Sequence, residues 1–264
     1  MQLAWRRISS PPAIFDFWSF DMRNNRGSGG RGGQRGGARE ESALTGRGIK
    51  TRVKTAAKRS LSSARWLDRQ LNDPYVAEAK KRGYRSRAAF KILQLDEKFH
   101  FFKIGGRIVD LGAAPGGWTQ VAVDRVHSAD GRGKVIGIDL QHVEPMPGAT
   151  IIQLDFMDPS APDKLKDLLE GEADVVLSDM AASSTGHAQT DHLKIIDLAE
   201  TALAFAIEVL SPGGTFIAKV LQGGATNELL AQLKKHFSSV KHVKPDASRK
   251  DSAEIYVVAQ GFRR

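Results

Sequence analysis

The sequence contains no cysteine. That rules out a disulfide framework and thiolate metal sites, and it fits a reducing cytoplasm. No stretch approaches the roughly 18 consecutive apolar residues of a membrane span, so no membrane partner is expected. The 7 histidines are scattered, without the clustering at ligand spacing that a metal site needs, and no metal is expected. Internal repeats are also missing. What is present is a chain of 264 residues, 41% of them hydrophobic. That suffices for one packed domain of about 200 residues plus a tail.

The formal net charge of +9 is unevenly placed. Residues 1–60 hold 13 Lys/Arg against 4 Asp/Glu, whereas residues 61–264 hold 26 of each. A basic arm on a near-neutral domain points to a polyanionic partner, most simply a nucleic acid. Residues 1–21 cluster Ile14, Phe15, Phe17, Trp18 and Phe20, but Asp16 and Asp21 break the run and make a poor signal peptide. Met22 is the expected natural start. Residues 26–39 carry seven glycines and arginines spaced between them. Such a segment has too little apolar surface to fold, and it suits either a flexible linker or a sequence-independent grip on phosphates. Residues 1–59 are therefore read as a disordered extension, and residues 60–264 as the folded domain.

Order is expected from Ser60. LSSARWLDRQL reads as a helix, Asp73-Pro74 as the cap and first residue of a second, and Ser86 as the cap of a third over RAAFKILQLDEKF. From Arg107 strands and helices alternate. The apolar runs RIVDL, KVIGIDL, ATIIQL, ADVVLSD and GTFIAKV read as buried strands. Helices are expected at 118–126, 163–169, 191–210 and 226–237, and two last strands at 239–243 and 254–259. This pattern predicts an α/β, Rossmann-like fold, with a mostly parallel sheet and helices on both faces. Its ligands bind beyond the carboxyl ends of the strands.

The first strand runs into Asp110-Leu-Gly-Ala-Ala-Pro-Gly-Gly-Trp118. The spacing fails the dinucleotide fingerprint G-x-G-x-x-G, and Trp118 stands where a phosphate-binding loop needs lysine. A glycine loop that brings bare backbone to a ligand, without a cation for β/γ-phosphates, suits S-adenosylmethionine. Asp139 ends the second strand, where a carboxylate accepts from ribose hydroxyls. Asp155 follows the third, where one accepts from an adenine amino group. Either residue alone would be read as a turn or cap; three strand-end signals in order are harder to dismiss.

Asp179 follows the fourth strand, and Lys219 lies inside the fifth, where a lysine is costly unless paired or functional. Glu254 opens the last strand, which brings it to the same edge if that strand runs antiparallel. Lys91 projects from the preceding helix. Two lysines and two acids that converge suit methyl transfer to an alcohol, whose hydroxyl must lose a proton as it attacks. A lysine acting as the base must first shed its own proton, which burial or a second ammonium favours and a carboxylate opposes. Lys219 as a group that only aligns the hydroxyl remains the alternative.

The stretches SRAAFK, VDLGAAPGGW, VLSDMA, FIAKVLQG and KPDASRKDSAEIYVVA together resemble the bacterial FtsJ/RrmJ (RlmE) ribosomal RNA methyltransferases, over roughly residues 60–262. The resemblance implies a class I methyltransferase fold with seven strands, the last antiparallel. It also implies S-adenosylmethionine as cofactor and 2′-O-methylation of a uridine in the A-loop of 23S rRNA, within the 50S subunit. The family's tetrad falls on Lys91, Asp179, Lys219 and Glu254, with Lys219 as proton acceptor. Its cofactor contacts fall on Gly116, Trp118, Asp139, Asp155 and Asp179. The chain departs from the family in its N-terminal extension and in Ala182-Ser183-Ser184, where many relatives have Pro-Asn. A basic surface at Lys80, Lys81, Arg82, Arg85 and Arg87 is expected to hold RNA. A monomer is expected. The competing readings are a tRNA ribose methyltransferase, a non-catalytic RNA-binding assembly factor, and a nucleotide-dependent dehydrogenase or ATPase, which the failed glycine fingerprints disfavour.

Overall fold

The computed structural model describes residues 60–182, 186–222 and 227–264. The extension 1–59, with Met22 and the glycine-rich segment, lies outside the described residues, as do Ser183 and Ser184.

Three helices precede the sheet. Helix α1 (Leu61–Asn72) starts at Ser60, whose hydroxyl accepts from the Ser63 amide at 3.3 Å. Helix α2 (Pro74–Arg82) starts as its Asp-Pro signature predicts. Asp73 Oδ1 accepts from the Tyr75 amide at 3.0 Å, and Pro74 takes a position where no amide partner is needed. Helix α3 (Ala89–Phe99) departs from expectation: its N-cap is Ala88, and the Ser86 hydroxyl makes no capping bond. The carbonyls of Ser86 and Arg87 accept from the Ala89 and Phe90 amides at 3.2 Å instead. The backbone turn starts this helix, so the hydroxyl is left over.

Seven strands form one sheet of order β3-β2-β1-β4-β5-β7-β6. They are β1 (Arg107–Leu111), β2 (Lys134–Asp139), β3 (Ala149–Gln153), β4 (Ala173–Ser178), β5 (Leu210–Leu221), β6 (Phe237–Val243) and β7 (Glu254–Phe262). The first five pair in parallel, and β7 inserts antiparallel between β5 and β6. The architecture agrees with the expected α/β class and antiparallel last strand. The strand ends differ in places. β5 begins at Leu210 rather than after the Pro-Gly-Gly turn, because Leu210 pairs with Ala173 across a register shift. β7 continues to Phe262, which pairs with Phe237 and packs on its ring at 5.4 Å.

Helix α4 (Gly117–Val126) joins α3 on one face, and α5 (Ala161–Leu169), α6 (Ala188–Val209) and α7 (Asn227–His236) pack on the other. This explains why the central strands read as continuous apolar runs: both faces are covered. Successive strand residues alternate between the two cores. Ile108, Ile217, Tyr256 and Val258 belong to the α3–α4 side, while Val109, Leu111, Phe216, Ala218 and Val257 belong to the other. By the same alternation Asp110, Lys219 and Glu254 fall on the α3–α4 side. Period-two geometry thus selects which polar residues share one crevice.

Candidate active site

The four charged residues expected to meet do so at the carboxyl edge of the parallel strands. Asp179 follows β4 and is fixed by its amide, which donates to the Leu111 carbonyl at 3.1 Å. Lys219 lies opposite Tyr256, and Leu221 opposite Glu254, in the β5–β7 register. Lys219 Nζ sits 3.1 Å from Asp179 Oδ1 and donates to the Asp179 carbonyl at 2.6 Å. Lys91, from α3, sits 2.7 Å from Glu254 Oε1. The side chains of these two pairs keep only 11–19% of their surface exposed, so neither charge is free to leave its partner cheaply.

The two pairs are joined by a residue that sequence reasoning missed. Tyr256 is wholly buried; its hydroxyl accepts from Lys91 Nζ at 3.1 Å and donates to Asp179 Oδ1 at 3.1 Å. Burial, and then the nearby charges of Asp179 and Glu254, push its phenol well above the ordinary value, so it stays a proton donor. In EIYVVA a tyrosine reads as one more core residue; only its register opposite Lys219 marks it. Ser248, also unforeseen, donates to Glu254 Oε1 at 2.9 Å. Burial raises the Glu254 pKa, but the charge and hydrogen bond of Lys91, the Ser248 bond and the charge of Lys219 outweigh it and hold the carboxyl below its usual range.

The glycine loop lies beside this cluster. Gly112 adopts φ +83°, and a Cβ there would meet the Met180 backbone at 2.9 Å, so only glycine lets the loop pass under the residue after Asp179. Gly116 adopts φ +105° and is the N-cap of α4. Asp139 Oδ2 accepts from the Ala114 amide at 2.8 Å, which ties the end of β2 to the loop, and Oδ1 accepts from the Gln141 amide at 2.8 Å. Asp155 is exposed and accepts from the Met157 amide at 2.9 Å. Both acids act as turn residues while facing the strand ends. Trp118 is 3% exposed; its indole donates to the Ala88 carbonyl at 2.9 Å and packs on Tyr256 at 5.4 Å. Its side chain is therefore a floor between α3 and the tetrad, and only its backbone faces the loop's mouth.

Asp110, inside the same motif, was not foreseen as a special group. It is fully buried, accepts from Thr119 Oγ1 at 2.6 Å through one oxygen and has no partner for the other. Burial chiefly, then the charges of Asp179 and Asp139, raise its pKa to about 7 against the bond from Thr119.

The expected basic face needs correction. Arg87 is not a free cation: it pairs with Asp73 at 3.1 Å, donates to the Ala247 carbonyl and has a side chain 16% exposed. Arg85 is bound to the loop after β2, and Arg82 pairs with Glu78 at 2.7 Å. Lys80 and Lys81 remain exposed. A shallow cavity of about 350 Å³ between α6 and α7 lies on the sheet's other face, away from the tetrad. Among the described residues, no helix is long and apolar enough to cross a membrane, and no group of three or more His, Asp or Glu is set to hold a metal.

Comparison with known proteins agrees with this geometry. A family profile described as FtsJ-like methyltransferase matches residues 84–262. The chain is 61% identical over 251 residues to a protein of Parvibaculum lavamentivorans named ribosomal RNA large subunit methyltransferase E, covering 92% of this chain and 96% of the relative. It is 64% identical over 219 residues to a protein of the same name from Paramagnetospirillum magneticum, covering 82% and 90%. Among solved structures, a Plasmodium falciparum protein described as a ribosomal RNA methyltransferase superposes with a TM-score of 0.60 at 35% identity, covering 68% of this chain and 98% of that one.

Proposed function

The chain belongs to the FtsJ-like methyltransferase family, and from that premise we propose that it methylates the ribose 2′-hydroxyl of a uridine in the A-loop of 23S rRNA, acting on the 50S subunit with S-adenosylmethionine as donor. The observation that carries the chemistry is the junction of Lys219–Asp179 and Lys91–Glu254 through Tyr256. The names borne by the relatives support the ribosomal substrate.

The residues present fit the donor. Gly112 and Gly116 leave backbone bare where a side chain would fill the crevice. Asp139 and Asp155 stand at successive strand ends as acceptors for ribose and adenine, and Asp179 borders the crevice from β4. Adenosylmethionine, when bound, supplies a methyl group already activated by its sulfonium. The chain's own work therefore concerns the acceptor. Lys219 Nζ, oriented by both the carboxylate and carbonyl of Asp179, receives the hydroxyl by hydrogen bond and takes its proton as the oxygen attacks. Holding that oxygen in line is worth several kcal/mol, since alignment replaces a bimolecular encounter. Lys91, fixed by Glu254 and Tyr256, keeps a second cation beside the site for the RNA backbone. Lys80 and Lys81, on the helix before it, extend that surface.

The test is to incubate the protein with labelled adenosylmethionine and undermethylated 50S subunits, then map the modified nucleotide. The expected product is one 2′-O-methyluridine in the A-loop. Label on tRNA alone, on a base, or on nothing would contradict the proposal.

A further inference from the structure

Arg85 and Ser86 lie between α2 and α3, and neither serves the role their sequence context suggests. The Arg85 guanidinium reaches across to the loop after β2 and donates to the carbonyls of Glu144 at 2.6 Å and Pro145 at 2.8 Å. Its backbone amide donates to Gln120 Oε1, on α4, at 3.0 Å. The side chain thereby covers the Gly116 turn: its Cδ and a terminal nitrogen stand 3.0 Å from where a Cβ on Gly116 would be, and the Met146 methyl 3.2 Å from it. The positive charge rests on carbonyls and is matched by no carboxylate among the described residues.

Ser86 presents a second unspent group. Its hydroxyl is enclosed and has no hydrogen-bond partner, at a cost a native fold seldom carries without reason. It presses on Gly117, so closely that a Cβ there would collide with it. Gly117 opens α4, whose N-cap Gly116 offers no side-chain acceptor. The amides of the first turn precede the first helical bond, from Gln120 to the Gly116 carbonyl at 2.9 Å. A cation, a free hydroxyl and a ten-residue helix's uncapped amides thus meet at one corner of the glycine loop.

We propose that this corner binds the carboxylate of the amino-acid end of adenosylmethionine, with Arg85 supplying charge and Ser86 a hydrogen bond. This rests on the donor reading above. Polarity along the crevice supports it. Asp139 and Asp155, at the ends of β2 and β3, would repel a carboxylate, and the Arg85–Ser86 corner is where one is stabilised. Arg85 is then a donor-binding residue rather than an RNA contact, which its ties to residues 144 and 145 also favour.

The experiment compares two ligands by calorimetric titration of the full chain. S-Adenosylhomocysteine carries the carboxylate; methylthioadenosine has the same adenosine thioether without the amino acid. Arg85→Gln and Ser86→Ala should each weaken adenosylhomocysteine by about 10-fold or more, the value of one charge-assisted bond. Methylthioadenosine should change by less than about twofold, because no bond to a carboxylate is lost. Arg85→Lys should keep much of the discrimination, and circular dichroism should be unaltered in all three. Equal weakening of both ligands would overturn the proposal and reduce the pair to loop scaffolding. Unchanged adenosylhomocysteine binding with a shallower salt dependence for RNA would overturn it in favour of a phosphate contact. A wild-type chain that binds neither ligand would sink the donor reading itself.

Discussion

Replacing Tyr256 by phenylalanine isolates the bridge between the two ion pairs. The ring remains wholly buried against Trp118, at 5.4 Å, so packing is conserved and only the hydroxyl goes. Two hydrogen bonds of 3.1 Å to charged partners disappear, one from Lys91 and one to Asp179. Such bonds are worth about 1.5–3 kcal/mol each. Lys91 keeps Glu254 and Asp179 keeps Lys219, so neither charge is orphaned. The net loss should therefore be about 2–3 kcal/mol rather than the doubled figure. Urea unfolding of both proteins reads this loss, and single-turnover methylation reads the second consequence. With Asp179 held from one side only, the Lys219 amine loses its fixed aim, and the rate should fall about 10-fold or more. Loss of less than about 0.5 kcal/mol, together with an unchanged rate, would show that the two pairs work independently and that the bridge contributes nothing.

Three further outcomes follow from the same geometry. Lys91→Met should cost about 3–5 kcal/mol in urea unfolding, because it leaves the Glu254 carboxylate buried without its cation; Lys91→Met with Glu254→Gln should restore part of that loss. Gly112→Ala should unfold at markedly lower temperature in calorimetry, since it puts a Cβ both at φ +83° and against the Met180 backbone. Asp110 makes stability fall as pH rises. Its folded pKa, about 7, lies above the ordinary 3.8, so the folded state holds a proton that the unfolded state has released. The destabilisation is absent below about pH 4, grows between pH 4 and 7, and is complete above, with an upper bound of roughly 4 kcal/mol. Asp110→Asn should therefore gain on wild type in urea unfolding at pH 8 and lose that advantage near pH 4.5; a pH-independent difference would refute the assignment.

Much of this was legible in the sequence, and the exceptions have physical causes. The apolar runs located every strand, because the central strands are covered on both faces and cannot carry polar positions except at their ends. Lys219 stood out for that reason. Tyr256 did not, since a tyrosine in an apolar strand reads as core until its register opposite Lys219 is known. Ser86 has a cap's composition, but the helix starts three residues later from a backbone turn. Arg85 and Arg87 read as a solvated basic face, yet both are drawn inward by partners far along the chain, at residues 144, 145 and 247. Sequence spacing carries no sign of such long-range ties. Asp110 lay in plain view inside the glycine motif, but its burial depends on α4 folding back over it through Thr119.

The most direct test of the central claim is the single-turnover rate of Lys219→Met on undermethylated 50S subunits, measured beside its affinity for adenosylhomocysteine. Loss of a proton acceptor and aligning group should slow methylation by about 100- to 10,000-fold while ligand affinity stays within about threefold. A variant that methylates the A-loop uridine at the wild-type rate would remove Lys219 from the chemistry and leave the Lys219–Asp179 pair a structural one.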